Sequence, residues 1–236
     1  MQVNQWVDQV SGVTFTPVGG AAGIPELQPQ SATMGGASTV KFGLSASGGQ
    51  TMIANYTSGS YWCGANYTVV AIVRGQQENY NLKSAEYLRV LHTGAGTPYF
   101  FGSSRFSSSE TPSGYKPTFI YSPPSTYRVG VVSSQQNAAS APMIAVFHAQ
   151  ASGHNMSFNG VSGIQNLTQM VLSPACVDSG LMTIGITISP PGPGTASMEI
   201  AELMVYDWDV DAEQELKLGC YAAQKYGIPT FVGNCN

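Results

Sequence analysis

Charged residues are scarce in this chain. Aspartate, glutamate, lysine and arginine make up 9% of its 236 residues, whereas soluble domains usually carry about 25%. Only nine residues are Lys or Arg, and the formal net charge is −4. A nucleic-acid partner would require a basic surface to contact the phosphates, so the composition excludes that class of partner. A surface of uncharged polar and small residues instead suits a protein that is packed in an assembly or exposed on an exterior.

Long apolar runs are also absent. No segment approaches the roughly 20 apolar residues that a membrane-spanning helix requires, and we expect no membrane insertion. The first ten residues, MQVNQWVDQV, lack the basic flank and apolar core of a secretory signal peptide. The sequence therefore does not predict secretion by the usual route.

Cysteine occurs only four times, at Cys63, Cys176, Cys220 and Cys235. No two of them form a C-x-x-C pair, which excludes the common zinc and redox motifs. The three histidines are dispersed, and we expect neither a metal ion nor a cofactor. Cys220 and Cys235 could form a disulfide that ties the C-terminus to the domain. Buried free thiols, acting as small apolar side chains, are the alternative.

Most of the chain has the pattern of β-strands, with apolar and β-branched segments between clusters of Gly, Pro, Ser and Asn. The apolar run Val69–Val73 predicts a strand covered on both faces, and Asn159-Gly160 predicts a tight hairpin. No linker interrupts the pattern, so we predict one domain over residues 1–236. The predicted strands are Val13–Val18, Thr39–Leu44, Met52–Asn55, Tyr67–Arg74, Tyr87–His92, Tyr99–Gly102, Thr118–Tyr121, Tyr127–Val132, Met143–Ala149, Met156–Asn159, Gln169–Leu172, Leu181–Ser189 and Met198–Asp207.

The C-terminal strand, Met198–Asp207, is followed by a segment that predicts a short helix over about 211–226. Asp211 is placed to cap the start of this helix, and Gln214 completes a capping box. Gly227 is placed to end the helix in a left-handed conformation. A closing strand followed by one helix, in a chain otherwise composed of strands, predicts a β-sandwich with a single helix across it.

The two faces of this helix differ in polarity. Glu213 and Lys217 form an i, i+4 pair on the solvent side. The apolar stripe that should face the sandwich recurs near the helical period. It consists of Ala212, Leu216, Cys220, Ala223 and Tyr226.

The C-terminal block has the form IAE-apolar-apolar-apolar-Tyr, a short turn, a capped helix and Lys-Tyr-Gly-Ile. It resembles the end of concanavalin A-like (laminin G-like) jelly-roll domains, which are common in bacterial and phage proteins. The resemblance implies an all-β fold, a two-sheet antiparallel jelly-roll β-sandwich with one C-terminal α-helix. The matching residues are Ile200, Ala201, Glu202, Val205, Tyr206, Tyr221, Ala222, Ala223, Lys225, Tyr226, Gly227 and Ile228. Weaker similarities follow in the expected order at 6–12, 40–42, 68–74, 157–160 and 181–185.

One departure from the family pattern concerns the N-terminus. Family members usually carry a strand upstream of the turn that Trp6 to Gly12 resemble, and this chain begins almost on that turn. Either the upstream segment belongs to a part of the protein outside this sequence, or a partner supplies the strand by β-augmentation. The sequence does not separate these alternatives.

Catalytic residues are not evident. A glycosidase would need two carboxylates on one face of a strand, at i, i+2 or i, i+4 spacing. Glu199 and Glu202 are three residues apart, so a regular strand would place them on opposite faces. The sequence also lacks G-x-S-x-G, Walker and G-x-G-x-x-G motifs. We therefore expect a protein that is not an enzyme.

Two other polar features have structural interpretations. His148 lies in an apolar segment and is expected to be a core or edge histidine whose ring is hydrogen-bonded. Asp207, Asp209 and Asp211 suggest calcium, but the glycine and glutamate of an EF-hand loop are missing from the required positions. Capping of the helix by Asp211 is the preferred interpretation.

The segment between Asn55 and Tyr67 has the composition of an exposed contact loop. It places Asn55, Tyr56, Tyr61, Trp62 and Tyr67 among Ser, Gly and Asn. Aromatic rings provide rigid contact area, and small polar residues provide adaptable hydrogen bonds. We predict a ligand-binding loop in which a sugar ring stacks on Tyr61 or Trp62. The alternative is that these rings close one end of the sandwich.

Three classes of function follow from these features. The favoured one is a non-enzymatic phage structural protein on the virion surface, such as a capsid decoration, tail or fibre domain. Its partners would be other copies of itself, other virion proteins or host-surface glycans. The second is a glycan-binding, lectin-like module of a secreted bacterial protein, with an extracellular location. The third, a glycoside hydrolase, is disfavoured by the carboxylate spacing.

Overall fold

The computed structural model shows that the apolar segments form β-strands and that the C-terminal segment forms a helix. The structure describes residues 1–18, 23–45, 48–57, 67–78, 87–93, 99–104, 116–121, 128–132, 141–150, 153–162, 164–165, 179–187, 195–228 and 231–235. The strands are β1 (Trp6–Val7), β2 (Thr14–Val18), β3 (Glu26–Gln28), β4 (Thr39–Ser45), β5 (Gly48–Gly49), β6 (Thr51–Thr57), β7 (Tyr67–Glu78), β8 (Tyr87–Thr93), β9 (Tyr99–Ser104), β10 (Lys116–Tyr121), β11 (Arg128–Val132), β12 (Met143–Gln150), β13 (Gly153–Phe158), β14 (Val161–Ser162), β15 (Ile164–Gln165), β16 (Ser179–Thr187) and β17 (Thr195–Tyr206), and the helix is α1 (Ala212–Tyr226). The predicted strand at Gln169–Leu172 lies outside the described residues.

The described strands pair in antiparallel fashion and form two sheets. The outer sheet has the order β1-β2-β6-β16-β8-β9-β10-β11-β15. The helix-side sheet has the order β14-β13-β12-β7-β17-β4-β3, with β5 paired to β4. The predicted all-β sandwich with one C-terminal helix is confirmed for this part of the chain. The single domain over 1–236 stays a prediction.

An apolar core lies between the two sheets. Val69, Ala71 and Val73 are alternate residues of β7, and they point into this inter-sheet core. There they pack with Phe42 from the same sheet and Ile184 from the outer sheet. Both of these side chains are almost completely buried, as expected for the main apolar driving force of a sandwich.

A second core lies between the helix-side sheet and α1. Val70 and Ile72, the intervening residues of β7, point into it. The predicted strand that is covered on both faces is therefore confirmed. The other buried members of this second core are Met34, Ile144, Val146, Ala222, Tyr226 and Ile228.

A β-bulge in β17 changes which side chains face each core. Its register with β7 shifts between Ile200 and Glu202, which leaves Ala201 as the extra residue. Ile200 points into the inter-sheet core and so does Leu203, three residues later, because the bulge inverts the alternation of the strand. Glu202 contacts the helix, and Glu199 precedes Ile200, so both carboxylates lie on the helix-facing side. The prediction that Glu199 and Glu202 lie on opposite faces is wrong for this reason.

Local signals define both ends of α1. Asp211 accepts a hydrogen bond from the backbone N–H of Gln214 at 2.8 Å, and the side chain of Gln214 accepts one from the N–H of Asp211 at 3.1 Å. Gly227 follows the helix with φ 63° and ψ 45°, a left-handed conformation that suits glycine. The exposed pair of Glu213 and Lys217 is present at 2.6 Å. The predicted caps and surface pair are confirmed.

The buried face of α1 is rotated from the predicted stripe. Gly219, Ala222 and Tyr226 are buried, whereas Leu216 is 37% exposed and Ala212 is exposed. Ala222 and Tyr226 pack in the second core against the sheet, whereas Gly219 is covered by the ring of Phe231 from the tail. The apolar periodicity misses such a face, because glycine contributes nothing to it.

The C-terminal tail folds back along α1. A disulfide joins Cys220 to Cys235 across 15 residues, so the structure shows the disulfide alternative for this pair. The ring of Phe231 occupies the space beside Gly219, where a Cβ atom would lie 2.1 Å from it. The other two cysteines lie outside the described residues.

The hairpin predicted at Asn159-Gly160 is confirmed and supports this tail. Both residues have positive φ angles, 50° and 79°, as a two-residue hairpin turn requires. The backbone N–H of Val232 donates to the carbonyl oxygen of Asn159 at 2.8 Å. The tail is therefore joined to the β13–β14 hairpin as well as to the helix.

The capping box gives a first testable prediction. Replacing Asp211 with alanine should lower the free energy of unfolding by about 1 kcal/mol, because the N–H of Gln214 loses its acceptor. Asp211→Asn is the matched control, since asparagine caps helices about as well as aspartate. Urea denaturation of the three proteins, followed by circular dichroism, measures the difference. Equal stabilities of the alanine and asparagine variants would contradict the assignment.

Candidate ligand-binding groove

One side of β17 has no neighbour among the described strands over the second half of its length. β17 pairs with β7 as far as Tyr206, but its pairing with β4 ends at Ile200, beside the bulge. No other strand in the described part of the chain pairs with this side over 201–206. This segment, called here the free edge, therefore presents backbone N–H and C=O groups that pair with no described strand.

An open groove of about 590 Å³ lies along the free edge. One wall is the free edge itself, continued by Asp207 and Trp208, and the facing wall consists of residues 6–10. Phe15 and Ile184, both buried in the inter-sheet core, line its inner side. The groove therefore opens between the β1 end of the outer sheet and the middle of the helix-side sheet.

A tight turn at residues 8–12 supports the wall of the groove that contains Trp6. Asp8 accepts hydrogen bonds from the N–H of Val10 at 2.9 Å and from the hydroxyl of Ser11 at 2.5 Å. Gly12 has φ 72°, which lets the chain reverse direction without a steric penalty. This turn connects β1 to β2 and so fixes the position of the Trp6 backbone.

Trp208 stands at the end of the opposite wall and is 48% exposed. Its ring meets that of Tyr206 edge-on, with 5.0 Å between the ring centroids and 67° between the planes. The buried hydroxyl of Thr68 donates to the carbonyl oxygen of Trp208 and accepts from the N–H of Val210, both at 3.0 Å. A half-exposed indole on an anchored backbone is suited to stacking against the apolar face of a ligand.

The charged residues that line the groove are acidic. They are Asp8, Glu202 and Asp207, and none of the described lining residues is Lys, Arg or His. Because Glu202 is paired with Lys225 of the helix, the negative potential of the groove is assigned to Asp8 and Asp207, and such a potential repels anions and attracts cations. The groove is therefore better suited to a neutral or cationic ligand than to an anionic one.

Glu202 is bound to the helix as well as lining the groove. Its Oε1 accepts hydrogen bonds from the hydroxyl of Tyr221 at 2.6 Å, from Nζ of Lys225 at 2.7 Å and from the hydroxyl of Tyr226. Burial raises the pKa of this carboxyl, but the hydrogen bonds outweigh burial and hold the pKa below its ordinary value. Glu202 is therefore ionised at neutral pH, with its charge balanced by Lys225.

Glu199 is enclosed by polar partners on the same face of the sheet. It accepts hydrogen bonds from the hydroxyls of Ser31 at 2.6 Å and Thr39 at 3.2 Å, and Arg74 lies 3.5 Å away. Its side chain is only 10% exposed. This carboxylate joins β17 to β7, β4 and the turn before β4, which is a structural role.

His148 of β12 lies between two carboxylates and is buried. Its Nδ1 is 2.8 Å from Asp209 and its Nε2 is 3.1 Å from Glu215. Burial lowers the pKa of the imidazole, but the two carboxylates outweigh burial and raise the pKa above its ordinary value. Glu215 also accepts a hydrogen bond from the hydroxyl of Ser157. The predicted histidine with a hydrogen-bonded ring is confirmed, and it joins α1 to β12 and β13.

The structure describes only part of the binding loop predicted from the sequence. Asn55 is exposed in β6 of the outer sheet. Tyr56 lies in the same strand, and Tyr67 begins β7 of the helix-side sheet, so the segment between them connects the two sheets. Tyr61 and Trp62 lie outside the described residues, and this ligand site stays a prediction.

Trp6 and Trp208 line the groove, and reasoning from the sequence did not select them. Trp6 served only as part of a family pattern, and Trp208 stands inside the DWDVD segment that suggested calcium. Among the described residues, no group of three or more His, Cys, Asp or Glu is placed to hold a metal ion. In the same part of the chain, no helix is long and apolar enough to cross a membrane.

Comparison with known proteins reveals similarity of fold. No protein-family model matches the chain, and no curated protein matches it. Among solved structures, the chain is similar to botulinum neurotoxin type C, with a TM-score of 0.64 and 10% identity. The cell entry of that toxin depends on interaction with two ganglioside molecules. This alignment covers 94% of the chain and 51% of the neurotoxin chain.

Two further similar structures bind other ligands. The binding domain of botulinum neurotoxin DC, in complex with rat synaptotagmin II, aligns with a TM-score of 0.61 at 11% identity over 94% of the chain and 52% of the toxin domain. Trypanosoma rangeli sialidase, in complex with sialic acid, aligns with a TM-score of 0.56 at 14% identity over 95% of the chain and 32% of the enzyme. The chain thus spans about half the length of the toxin structures that it matches. At such low identities the similarity establishes a shared β-sandwich fold.

Proposed function

We propose that this chain is a non-enzymatic glycan-binding module with a concanavalin A-like β-sandwich fold. The observation that carries the proposal is the groove, in which Trp6 and the half-exposed Trp208 accompany Asp8, Gln9 and Asp207. A sugar ring has an apolar face that stacks on an indole and hydroxyls that donate to carboxylate and amide oxygens. Ligand sites generally combine apolar walls with a few polar groups in this way.

The structural neighbours support the same class of ligand. One is a toxin that interacts with gangliosides, and another is a sialidase in complex with sialic acid. We expect the ligand of this chain to differ from those of both neighbours, because Asp8 and Asp207 in the groove would repel the carboxylate of sialic acid. We therefore propose that neutral glycans are the ligands of this chain.

The absence of enzymatic activity is part of the proposal. The bulge brings Glu199 and Glu202 to the same face, so their spacing no longer argues against a glycosidase. Their surroundings provide a stronger one, because Glu199 is enclosed by hydroxyls and Arg74, and Glu202 is held by the helix. A general acid or nucleophile must reach the scissile bond, and carboxylates fixed in this way are poorly placed to do so.

The exterior of a virion remains the proposed location, with an extracellular bacterial module as the alternative. Two observations favour a component of an assembly: the charged fraction of 9%, and the free edge, which can pair with another chain. Capsid decoration, tail and fibre proteins are components of such assemblies. Electron microscopy of particles labelled with an antibody to the chain would test the location.

A glycan array tests the proposed activity. We expect the wild-type chain to bind neutral glycans in preference to sialylated ones, and Trp208→Ala to weaken binding at least about tenfold through loss of the stacking surface. Val232→Ala is the control, because Val232 is an exposed apolar residue of the tail, at 63%, and does not line the groove. Equal binding by the Trp208 variant, or a preference for sialylated glycans, would contradict the proposal.

A further inference from the structure

We infer that the free edge at 201–206 accepts one extended β-strand from a partner protein. This inference goes beyond glycan binding, because the guest strand would pair with the backbone N–H and C=O groups of β17. It would lie in the groove that is proposed for the glycan, so the two ligands would compete. All six residues are partly buried. Natural edges are usually protected by Lys, Pro or bulges along the strand. The free edge, AELMVY, contains neither Lys nor Pro, and its bulge lies only at its start. Its one charged residue, Glu202, is bound to Lys225 of the helix.

The side chains beside the free edge indicate what the guest strand must carry. Leu203 and Val205 point toward the inter-sheet core, with Trp6 packed against the same core. Phe15 and Ile184 line the inner side of the groove. A guest strand that pairs with the free edge would direct alternate side chains onto this surface. Those side chains must therefore be apolar.

The shape of the sheet favours a single strand over the sheet edge of a second copy. β4 and β3 continue the sheet beyond β17, but β4 pairs with β17 only as far as Ile200, and β3 pairs with β4 rather than with β17. The free edge is therefore set back by two strands, about 10 Å at 4.8 Å per strand. Residues 6–10 form the facing wall of the groove. A single strand of six residues, about 20 Å long, can enter this space, whereas a folded sheet edge would meet β3 and β4 first.

The acidic groups of the groove indicate the charge that the guest strand should carry. Asp8 and Asp207 line the groove on its two walls, and no cationic side chain is among the described lining residues. The partner is thus a segment that alternates apolar residues and carries Lys or Arg beside them. β-Augmentation of this kind takes affinity from main-chain hydrogen bonds and specificity from alternate side chains.

A synthetic peptide tests the inference on the full chain. The probe alternates three valines and three threonines between terminal lysines, and its binding is followed by fluorescence anisotropy and by hydrogen exchange of residues 201–206. We expect binding that slows exchange of the amides on the open side of β17. N-methylation of alternate peptide bonds should weaken binding at least about tenfold, because it removes main-chain donors. A peptide with terminal glutamates should bind more weakly than the lysine peptide.

A charge variant distinguishes groove binding from adhesion elsewhere. Asp207→Lys should weaken the lysine peptide several-fold and strengthen the glutamate peptide, whereas Glu26→Lys, an exposed carboxylate on β3 outside the groove, should change neither. Failure to bind, insensitivity to N-methylation, or unchanged exchange at 201–206 would overturn the inference. Concentration-dependent dimers of the free chain with 201–206 already protected would overturn it in favour of a second copy. A chain that binds no glycan could still bind the peptide, so failure of the proposed function and failure of this inference are distinguishable.

Discussion

Replacing Gly185 with alanine is expected to lower the free energy of unfolding by about 4 kcal/mol, one of the largest effects available to a single methyl group in this fold. Gly185 has φ 125°, a conformation that disfavours side chains. A Cβ atom there would lie 2.4 Å from the carbonyl oxygen of Gln50 and 2.8 Å from the ring of Phe42. Neither can move easily, because Phe42 is completely buried and Gln50 is hydrogen-bonded to Gly43 and Ile24.

A second glycine distinguishes the cost of a side chain at positive φ from the cost of a steric clash. Gly36 also has a positive φ, 80°, but no atom lies within 4 Å of a Cβ placed on it. Gly36→Ala should therefore cost only the conformational penalty, about 1 kcal/mol. Urea denaturation followed by tryptophan fluorescence measures both variants. Similar losses of stability in the two would mean that the contact between Gly185, Gln50 and Phe42 is looser than described.

Replacing His148 with alanine is expected to lower the free energy of unfolding by about 3 kcal/mol near pH 5.5. Removing one member of a buried ion pair typically costs 3–5 kcal/mol, because the partner charge is left without compensation. The lower end applies here, since Asp209 and Glu215 are 37% and 25% exposed at their side chains. His148→Gln, which can still donate one hydrogen bond, should lose less. Equal stability of wild type and His148→Ala would show that the cluster contributes nothing.

The same cluster should make stability depend on pH. The pKa of His148 is raised above 6.5 in the folded chain, so its contribution is complete below pH 6.5 and is lost as the pH rises through the folded pKa. The pKa of Glu215 is lowered below 4.5, so its contribution is complete above pH 4.5 and is lost as the pH falls through the folded pKa. Unfolding measured against pH should show the loss above pH 6.5 in the wild type and not in His148→Ala.

Features governed by neighbouring residues were predictable from the sequence. The caps of α1, the Asn159-Gly160 hairpin and the doubly covered strand β7 each depend on signals within a few residues. Short strands such as Trp6–Val7 and Glu26–Gln28 were missed, because two or three residues carry no usable period. Their pairing is determined by strands distant in sequence.

Features that depend on tertiary contacts were not predictable. The bulge at Ala201 inverts the faces of β17, and no residue type in the sequence marks it. The buried residues of α1 include Gly219 and Ala222, which hydrophobic periodicity overlooks. Trp208 joins Trp6 in one groove only because β1 and β17 meet across the sandwich. The groove could not have been recognised without the fold.

Nuclear magnetic resonance of the indole N–H groups tests the central claim, that the groove is the glycan site. The chain has three tryptophans, at positions 6, 62 and 208, and Trp→Phe variants assign their three signals. On titration with the strongest neutral glycan from the array, we expect the signals of Trp208 and Trp6 to shift in proportion to occupancy, while that of Trp62 stays in place. A shift of the Trp62 signal alone would place the ligand on the loop between Asn55 and Tyr67. That result would contradict the proposal that the groove is the glycan site.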